Sequence, residues 1–288
     1  MKVLLTGCGG RIGQEVLKYF IRKKFFVYAN YNKKIIKNKF NKKFYTPLKI
    51  NLFNKKIKLP NDINSIIHMA STTSNHEDKK TYKKNMKITK NLVNSIKQNS
   101  NIKKLIFFSS ASIYSDKNFG SVNEKFYKKN QNYYARSKYK SEMIFRKLKK
   151  TKIYNLRLPG VLGTTDEKGF LSSVIFKMKK NLNIKLFNNQ NKFNNVILID
   201  SLNSFMLNLL KKNYNSGTIL LGSSSPRLLG DIVNSLKKKL KSKSEIKWHR
   251  KKEGFYLDIS NAIKKFDFTP LTTSQTINKY IKNYLKIN

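Results

Sequence analysis

A single cysteine, Cys8, in a chain of 288 residues excludes an internal disulfide and any site built on several thiolates. The three histidines, His68, His76 and His249, are too scattered to suggest zinc ligation. No stretch of about 18 apolar residues occurs, and Met1-Lys2 leads straight into a short strand-like segment. Neither a membrane span nor a signal peptide is therefore expected, and the expected location is cytoplasmic. Acidic residues are scarce: 15 Asp and Glu stand against 61 Lys and Arg, for a formal charge of +46. Alanine occurs only at 29, 70, 111, 135 and 262, and proline five times in all.

So strong a positive charge raises a nucleic-acid reading, because clustered cations neutralise phosphates. Yet only seven of the 61 basic residues are arginine, and lysine is a point charge without the planar fork that reads base edges. The lysines run evenly through the sequence beside abundant Asn, Ile, Phe and Tyr, all residues of A/T-rich codons. The excess reads as composition, and no specific nucleic-acid partner is expected. Such a surface still attracts anionic ligands, including sugar nucleotides. The length suits one α/β domain, or a nucleotide-binding domain with a smaller companion.

Lys2-Val3-Leu4-Leu5-Thr6 reads as a strand, and Gly7-Cys8-Gly9-Gly10-Arg11-Ile12-Gly13 follows at once, leading into an amphipathic run from Gln14 to Lys24. Strand, glycine turn and helix in that order form a dinucleotide-binding opening. Gly7 permits the tight turn, Gly10 lets the backbone approach a pyrophosphate, and Gly13 lets the helix pack on the strand. The helix N-terminus then offers free N–H groups to the anion. A second strand, Phe25 to Tyr31, ends in Asn32-Lys33-Lys34. An acid belongs there if the ribose 2′-hydroxyl of NAD is to be bound, so its absence favours NADP, with Arg11 as a further cation. A third strand near Phe44 to Ile50 leads into Asn51-Leu52, where a side-chain amide suits an adenine. The fourth, Ser65 to Met69 and Ala70, passes into Ser71-Thr72-Thr73, at the strand end where ligands of open α/β sheets lie. His68, inside this apolar strand, reads as a core histidine. A helix from Lys80 to Gln98 carries Asn85, and a fifth strand from Lys104 ends in Ser109-Ser110-Ala111-Ser112-Ile113-Tyr114.

Tyr134-Ala135-Arg136-Ser137-Lys138 places a tyrosine and a lysine four residues apart, on one face of a helix. A cation held beside a phenol favours the phenolate and lowers its pKa from about 10. Bringing it to about 7 takes roughly 4 kcal/mol, within reach of one desolvated lysine and the positive ring of an oxidised nicotinamide. The pair then becomes a general acid/base for a sugar or alcohol hydroxyl.

These segments, taken in order, resemble an extended short-chain dehydrogenase/reductase of the NAD-dependent epimerase/dehydratase family. The resemblance rests on TGCGGRIG, HMA after the fourth strand, Asn85 before a helix, FFSSASIY, YARSK with Glu142 beyond it, and LRLPGVLG after the sixth strand. It extends to Asn195 through Asp200, which resembles the family's late strand, and to Phe268-Thr269-Pro270, which resembles its C-terminal helix-turn. It implies a Rossmann-type, doubly wound α/β fold, with residues 1–158 binding NAD(P). Residues 159–288 would mainly bind substrate, with some segments returning to the first domain. It implies Ser110, Tyr134, Lys138 and Asn85 as catalytic: Ser110 on the substrate oxygen, Tyr134 exchanging its proton, Lys138 on the nicotinamide ribose and Asn85 supporting a relay water. Cofactor contacts then fall on Gly7, Gly10, Arg11, Ile12, Gly13, Asn32, Lys33, Asn51, Leu52, Met69, Ala70, Ser71 and Pro159, besides Tyr134 and Lys138. Substrate contacts fall on Ser110, Ser112, Tyr134 and Asn195.

Departures from the family pattern narrow the reaction. Ala111 and Ser112 stand where 4,6-dehydratases carry an Asp-Glu pair, so dehydration is disfavoured. Gly160 stands where epimerases commonly place an Asn, which suits a 4-keto-sugar reductase somewhat better. The expected activity is therefore 4-keto reduction or C4 epimerisation of a nucleotide-activated sugar in surface-polysaccharide synthesis. A homodimer would form through the helices of Asn85 and Tyr134. The competing reading is a non-catalytic NAD(P)-binding protein, regulatory or RNA-associated, suggested by charge alone.

Overall fold

The computed structural model describes the chain except residues 33–41, 74–76, 115–119, 127–131, 164–168, 251–253 and 288. Its elements run β1 (Lys2–Thr6), α1 (Arg11–Arg22), β2 (Phe26–Tyr31), β3 (Tyr45–Lys49), β4 (Ser65–His68), α2 (Lys79–Lys97), β5 (Lys104–Ser110), β6 (Ser121–Val122), α3 (Tyr133–Phe145) and β7 (Lys152–Leu158). They continue with β8 (Gly160–Leu162), α4 (Phe170–Lys179), β9 (Ile184–Phe187), β10 (Lys192–Phe193), β11 (Val196–Leu198), α5 (Ile199–Lys211), β12 (Gly217–Leu220) and β13 (Arg227–Leu228). Last come α6 (Leu229–Lys239), β14 (Ile246–His249), β15 (Tyr256–Leu257), α7 (Ser260–Phe266) and α8 (Thr273–Ile287).

Two compact units emerge. The first comprises Met1–Ile113, Lys128–Arg157 and Asn203–Ile219, the second Tyr114–Tyr127, Leu158–Leu202 and Leu220–Asn288. The first is built on a seven-stranded sheet of order β12-β7-β5-β4-β1-β2-β3, in which β1 pairs in parallel with both β2 and β4. Strand order turns back at β1, as in doubly wound Rossmann-type folds. Its strands read as continuous apolar runs because helices cover both faces: all four residues of β4 are buried, as are four of five in β1. A core of Leu4, Ile66, Leu92, Leu105 and Phe145, among others, lies in this unit.

In the second unit, short strand pairs and helices enclose a separate core that includes Leu171, Ile175, Val233 and Tyr280. These pairs of two to four residues carry too little alternation to be read from sequence. The late strand also stops earlier than expected. It ends at Leu198, and Ile199-Asp200 opens α5, where the Asp200 carboxylate suits the positive end of the helix. Among the described residues no helix is long and apolar enough to cross a membrane.

His68 is fully enclosed, stacked on Phe107 with ring centroids 5.6 Å apart. Thr6 Oγ1 accepts from the backbone N–H groups of Met69 and Ala70, so its own proton points to His68 Nδ1, 2.7 Å away. Burial, then the Lys138 charge, holds His68 down at about 3. Its folded pKa lies below the unfolded value of about 6.5, so this contribution is complete above pH ~6.5 and lost as pH falls towards ~3. Melting temperature should fall across that window, and the fall should be shallower in His68→Leu; equal slopes in the two proteins would refute the assignment.

Candidate active site

The glycine turn after β1 is dictated by contacts of its own backbone. Gly7 sits at φ +81°, and a Cβ there would lie 2.9 Å from the Ala70 nitrogen. A Cβ on Gly13 would come within 2.2 Å of the Gly7 carbonyl oxygen, so helix and turn touch only because both positions lack side chains. Gly10 differs: the nearest atom to a Cβ there would be the Gly7 oxygen at 3.3 Å, leaving the space above it open. It is also the N-cap of α1 and supplies no capping side chain, and no acid occupies the first turn. Uncapped N–H groups beside an open glycine make a cradle that fits a pyrophosphate.

A cavity of about 360 Å³ extends from this cradle. Of the residues named from sequence, Gly7, Gly10, Asn32, Leu52, Met69, Ala70 and Ser71 line it, together with Gly9, Asn30, Tyr31, Ile50 and Phe53. No carboxylate is among the described lining residues. Gly13 stands behind the turn. Arg11, Ile12 and Asn51 are off the lining, and Asn51 Oδ1 instead accepts from the Phe53 backbone N–H at 3.0 Å. Lys33 lies outside the described residues. Asn30, unremarked in the sequence, ties β2 to β3 by donating to the Ile50 carbonyl at 2.9 Å.

The second half of the site is carried by β5 and α3. Asn132 caps α3 by accepting from Ala135 N–H at 2.8 Å, and the next turn presents Tyr134 and Lys138 together. Ser110 Oγ accepts from both the backbone N–H (3.1 Å) and the hydroxyl (2.8 Å) of Ser112. With its lone pairs so used, Ser110 turns its own proton outward, and the Tyr134 phenol hydrogen-bonds with Ser110 and with Ser71. Burial pushes the phenol pKa up, while these two hydrogen bonds pull it down in part. The lowering argued from sequence rests on the charge of an oxidised nicotinamide together with that of Lys138. Its Nζ donates to the Phe108 carbonyl at 2.7 Å and faces the Tyr134 ring, 5.6 Å from its centroid. Burial lowers Lys138 itself to about 7, with Glu142 raising it in part.

Two further groups fix this geometry. Asn85 accepts from Thr72 N–H (2.8 Å) and donates to Thr72 O (3.1 Å) and Ser137 Oγ (3.0 Å), clamping the end of β4 to α3. Glu142, one turn beyond Lys138 and fully buried, takes two bonds from Arg157, Nε to Oε1 at 3.0 Å and Nη2 to Oε2 at 2.9 Å, and a third from Ser109 Oγ. The sequence marked Glu142 but not its pairing with Arg157, which spans 15 positions and depends on β7 lying next to β5. Pro159 and Asn195 belong to the second unit, where Asn195 Nδ2 donates to the Phe255 carbonyl at 3.2 Å.

The family model for the "NAD dependent epimerase/dehydratase family" matches residues 3–222. A comparison with curated proteins found no match. Similar solved structures include UDP-glucuronic acid 4-epimerase from Bacillus cereus in complex with NAD, at 21% identity over 99% of both chains and a TM-score of 0.81. UDP-glucose 4-epimerase from Thermotoga maritima with UDP-glucose is similar at 18% identity, TM-score 0.79, over 100% of this chain and 99% of that one. The enzyme WbmG of Bordetella bronchiseptica with NAD and UDP shares 12% identity, TM-score 0.79, over 99% and 94%. At such identities the likeness carries the fold alone.

Removing one partner of the Glu142–Arg157 pair leaves an uncompensated buried charge. Glu142→Leu should cost about 3–5 kcal/mol in denaturant unfolding, and adding Arg157→Leu should recover most of it; a double variant no better than the single would disprove the pairing energetics. Lys138→Met tests the buried ammonium. Its folded pKa of about 7 lies below the unfolded value of about 10.5, so the cost of charging it is complete below pH ~7 and gone above ~10.5. The variant should gain in melting temperature over the native chain at pH ~6.5 and lose that gain by pH ~10.

Proposed function

The chain belongs to the NAD dependent epimerase/dehydratase family, and from that premise we propose that it interconverts epimers at C4 of a nucleotide-activated sugar. The observation that supports this is the hydrogen-bonded set Ser112, Ser110 and Tyr134, with Lys138 facing the phenol ring, in the same unit as the glycine cradle. Tyr134 exchanges a proton with the sugar hydroxyl. Ser110, whose lone pairs are taken by Ser112, turns its one proton from the phenol to the substrate oxygen and steadies it as charge develops. Lys138, anchored by the Phe108 carbonyl, is in place for a ribose hydroxyl and lends positive charge near the phenol. Asn85 serves as a positioning residue, since its amide is committed to Thr72 and Ser137. A nicotinamide dinucleotide, when bound, supplies the hydride acceptor and a positive ring that opposes the upward shift of the phenol pKa. Gly7, Gly9 and Gly10 would hold its pyrophosphate, and Leu52 and Phe53 its adenine side. The lack of a carboxylate on the cavity supports NADP, whereas similar solved structures hold NAD.

Nucleotide sugars are the substrates named for those structures, which supports the substrate class. Asn195, assigned to substrate from sequence, has a buried Oδ1 that finds no partner among the described residues. A second reading, 4-keto-sugar reduction, is favoured by Gly160, which offers no side chain after β7. A Cβ there would meet the Asn195 carbonyl oxygen at 3.3 Å.

Incubation with a panel of UDP- and dTDP-sugars and either dinucleotide should yield C4 epimers without net change in nicotinamide absorbance. Net consumption of NADPH with 4-keto sugars would assign the reductase instead, and silence on both panels would sink the enzymatic reading. Tyr134→Phe should lower kcat by about 10²–10⁴-fold with little change in KM; full activity in that variant would remove Tyr134 from the mechanism.

A further inference from the structure

Two hydroxyls meet the Tyr134 phenol, Ser110 and Ser71, and their own partners make them unlike. Ser110 Oγ takes hydrogen bonds from the Ser112 backbone N–H at 3.1 Å and from the Ser112 hydroxyl at 2.8 Å, so all it has left to give the phenol is its proton. Ser110 is therefore a donor only. During turnover that single proton turns to the substrate oxygen, and the phenol oxygen loses the Ser110 bond at the moment it carries charge. Ser71 is the hydroxyl that remains.

A chain of buried bonds holds Ser71 to the tyrosine. Asn85 accepts from the Thr72 N–H at 2.8 Å and donates to the Thr72 carbonyl at 3.1 Å and to Ser137 Oγ at 3.0 Å, and Ser137 Oγ donates onward to the Tyr134 carbonyl at 2.7 Å. Asn85 and Ser137 are both buried, so water does not compete for these bonds. Thr72 follows Ser71 directly, and the end of β4 is thereby tied to the first turn of α3 at Tyr134 itself. A serine hydroxyl turns about one bond and offers either a lone pair or its proton. Ser71 can accept the proton of the neutral phenol and, once that proton has moved, donate to the phenolate. Because Ser71 also lines the cavity beside the glycine cradle, this bond lies where cofactor space and phenol adjoin.

We propose that the Ser71 hydroxyl holds the Tyr134 phenolate while Ser110 serves the substrate, which makes Ser71 a positioning residue for the proton exchange. This rests on the reading of Tyr134 as the exchanging group. The charged and titratable groups around the phenol are few. Lys138, from the same helix, lies 5.6 Å from the ring centre, the Glu142 and Arg157 charges from α3 and β7 neutralise each other, and His68 on β4 is kept neutral. The end of β5 and the turn after it bring only the hydroxyls of Ser109, Ser110 and Ser112, α2 brings the Asn85 amide, and Arg136 lies over the Tyr82 ring instead. Lys138 titrates near 7, but every variant of Ser71 retains it, so its effect cancels between chains.

Two measurements test it. With 3,5-difluorotyrosine, a more acidic phenol, in place of Tyr134, fluorine NMR follows a single titration in the chain alone. Ser71→Ala should raise its midpoint by about one pH unit, the difference between a hydrogen bond to a charged oxygen and one to a neutral oxygen. Ser71→Thr, which keeps the hydroxyl, should stay close to the parent. With the native tyrosine, kcat/KM for C4 epimerisation requires the phenolate and so rises with pH. A phenol held about one unit higher in Ser71→Ala lowers it about tenfold on the acid limb and progressively less above that limb. A merely structural role would lower it by one factor at every pH. Coincident fluorine titrations of Ser71→Ala and the parent would overturn the proposal, as would a loss independent of pH or a Ser71→Thr titration shifted as far as that of Ser71→Ala. If the sugar panels show no turnover, the fluorine titration decides alone: a shift keeps Ser71 as the donor to the phenolate although the reaction is not C4 epimerisation, and no shift removes it.

Discussion

Glu142 is the carboxylate around which the candidate site's β5–α3 side is arranged. It is buried away from bulk solvent, so its charge is met by the two-pronged Arg157 guanidinium and by the Ser109 hydroxyl. Those three residues come from α3, β7 and β5. A charge in that position is tolerated only when all three elements hold one register, because a missing partner exposes the full desolvation cost. Ser109 precedes Ser110, and Lys138 is one turn before Glu142, so the ion pair fixes how the serine and the lysine face each other. The Asn85 amide does the same for the end of β4, holding Thr72 against α3 one residue beyond Ser71.

The nearby ionisable groups illustrate what burial does when partners are few. His68 is kept neutral and takes a hydroxyl proton from Thr6, so it belongs to the core. Lys138 is lowered to about 7 and anchored on a backbone carbonyl. Tyr134 is raised, with only two hydroxyls opposing the effect. Burial is the leading cause of the shift in all three groups.

Much of this was legible in the amino-acid order. Apolar runs with glycine at 7, 10 and 13 announced a strand, a turn and a helix, and that spacing is local chemistry that no later contact alters. Helical spacing put Tyr134 and Lys138 on one face. The lowering of the Tyr134 pKa argued from sequence counts the charge of an oxidised nicotinamide as well as that of Lys138, whose Nζ donates to the Phe108 carbonyl and faces the phenol ring. The strand expected to run to Asp200 ended at Leu198, since an acid suits the start of a helix better than the end of a strand. Asn51 and Arg11 were placed on the cofactor by position in a motif, and the fold spends Asn51 on a turn.

The sequence by itself determined the order of elements, the glycine cradle, the spacing of the acid/base pair and the near absence of acids. These are set by backbone geometry and composition within a few residues of each other. Only the tertiary structure decided that Ser112 directs the Ser110 proton, that Ser71 reaches the phenol and that Arg157 closes on Glu142. Each of those depends on side chains from separate elements meeting in a low-dielectric interior, where distance along the chain carries no information.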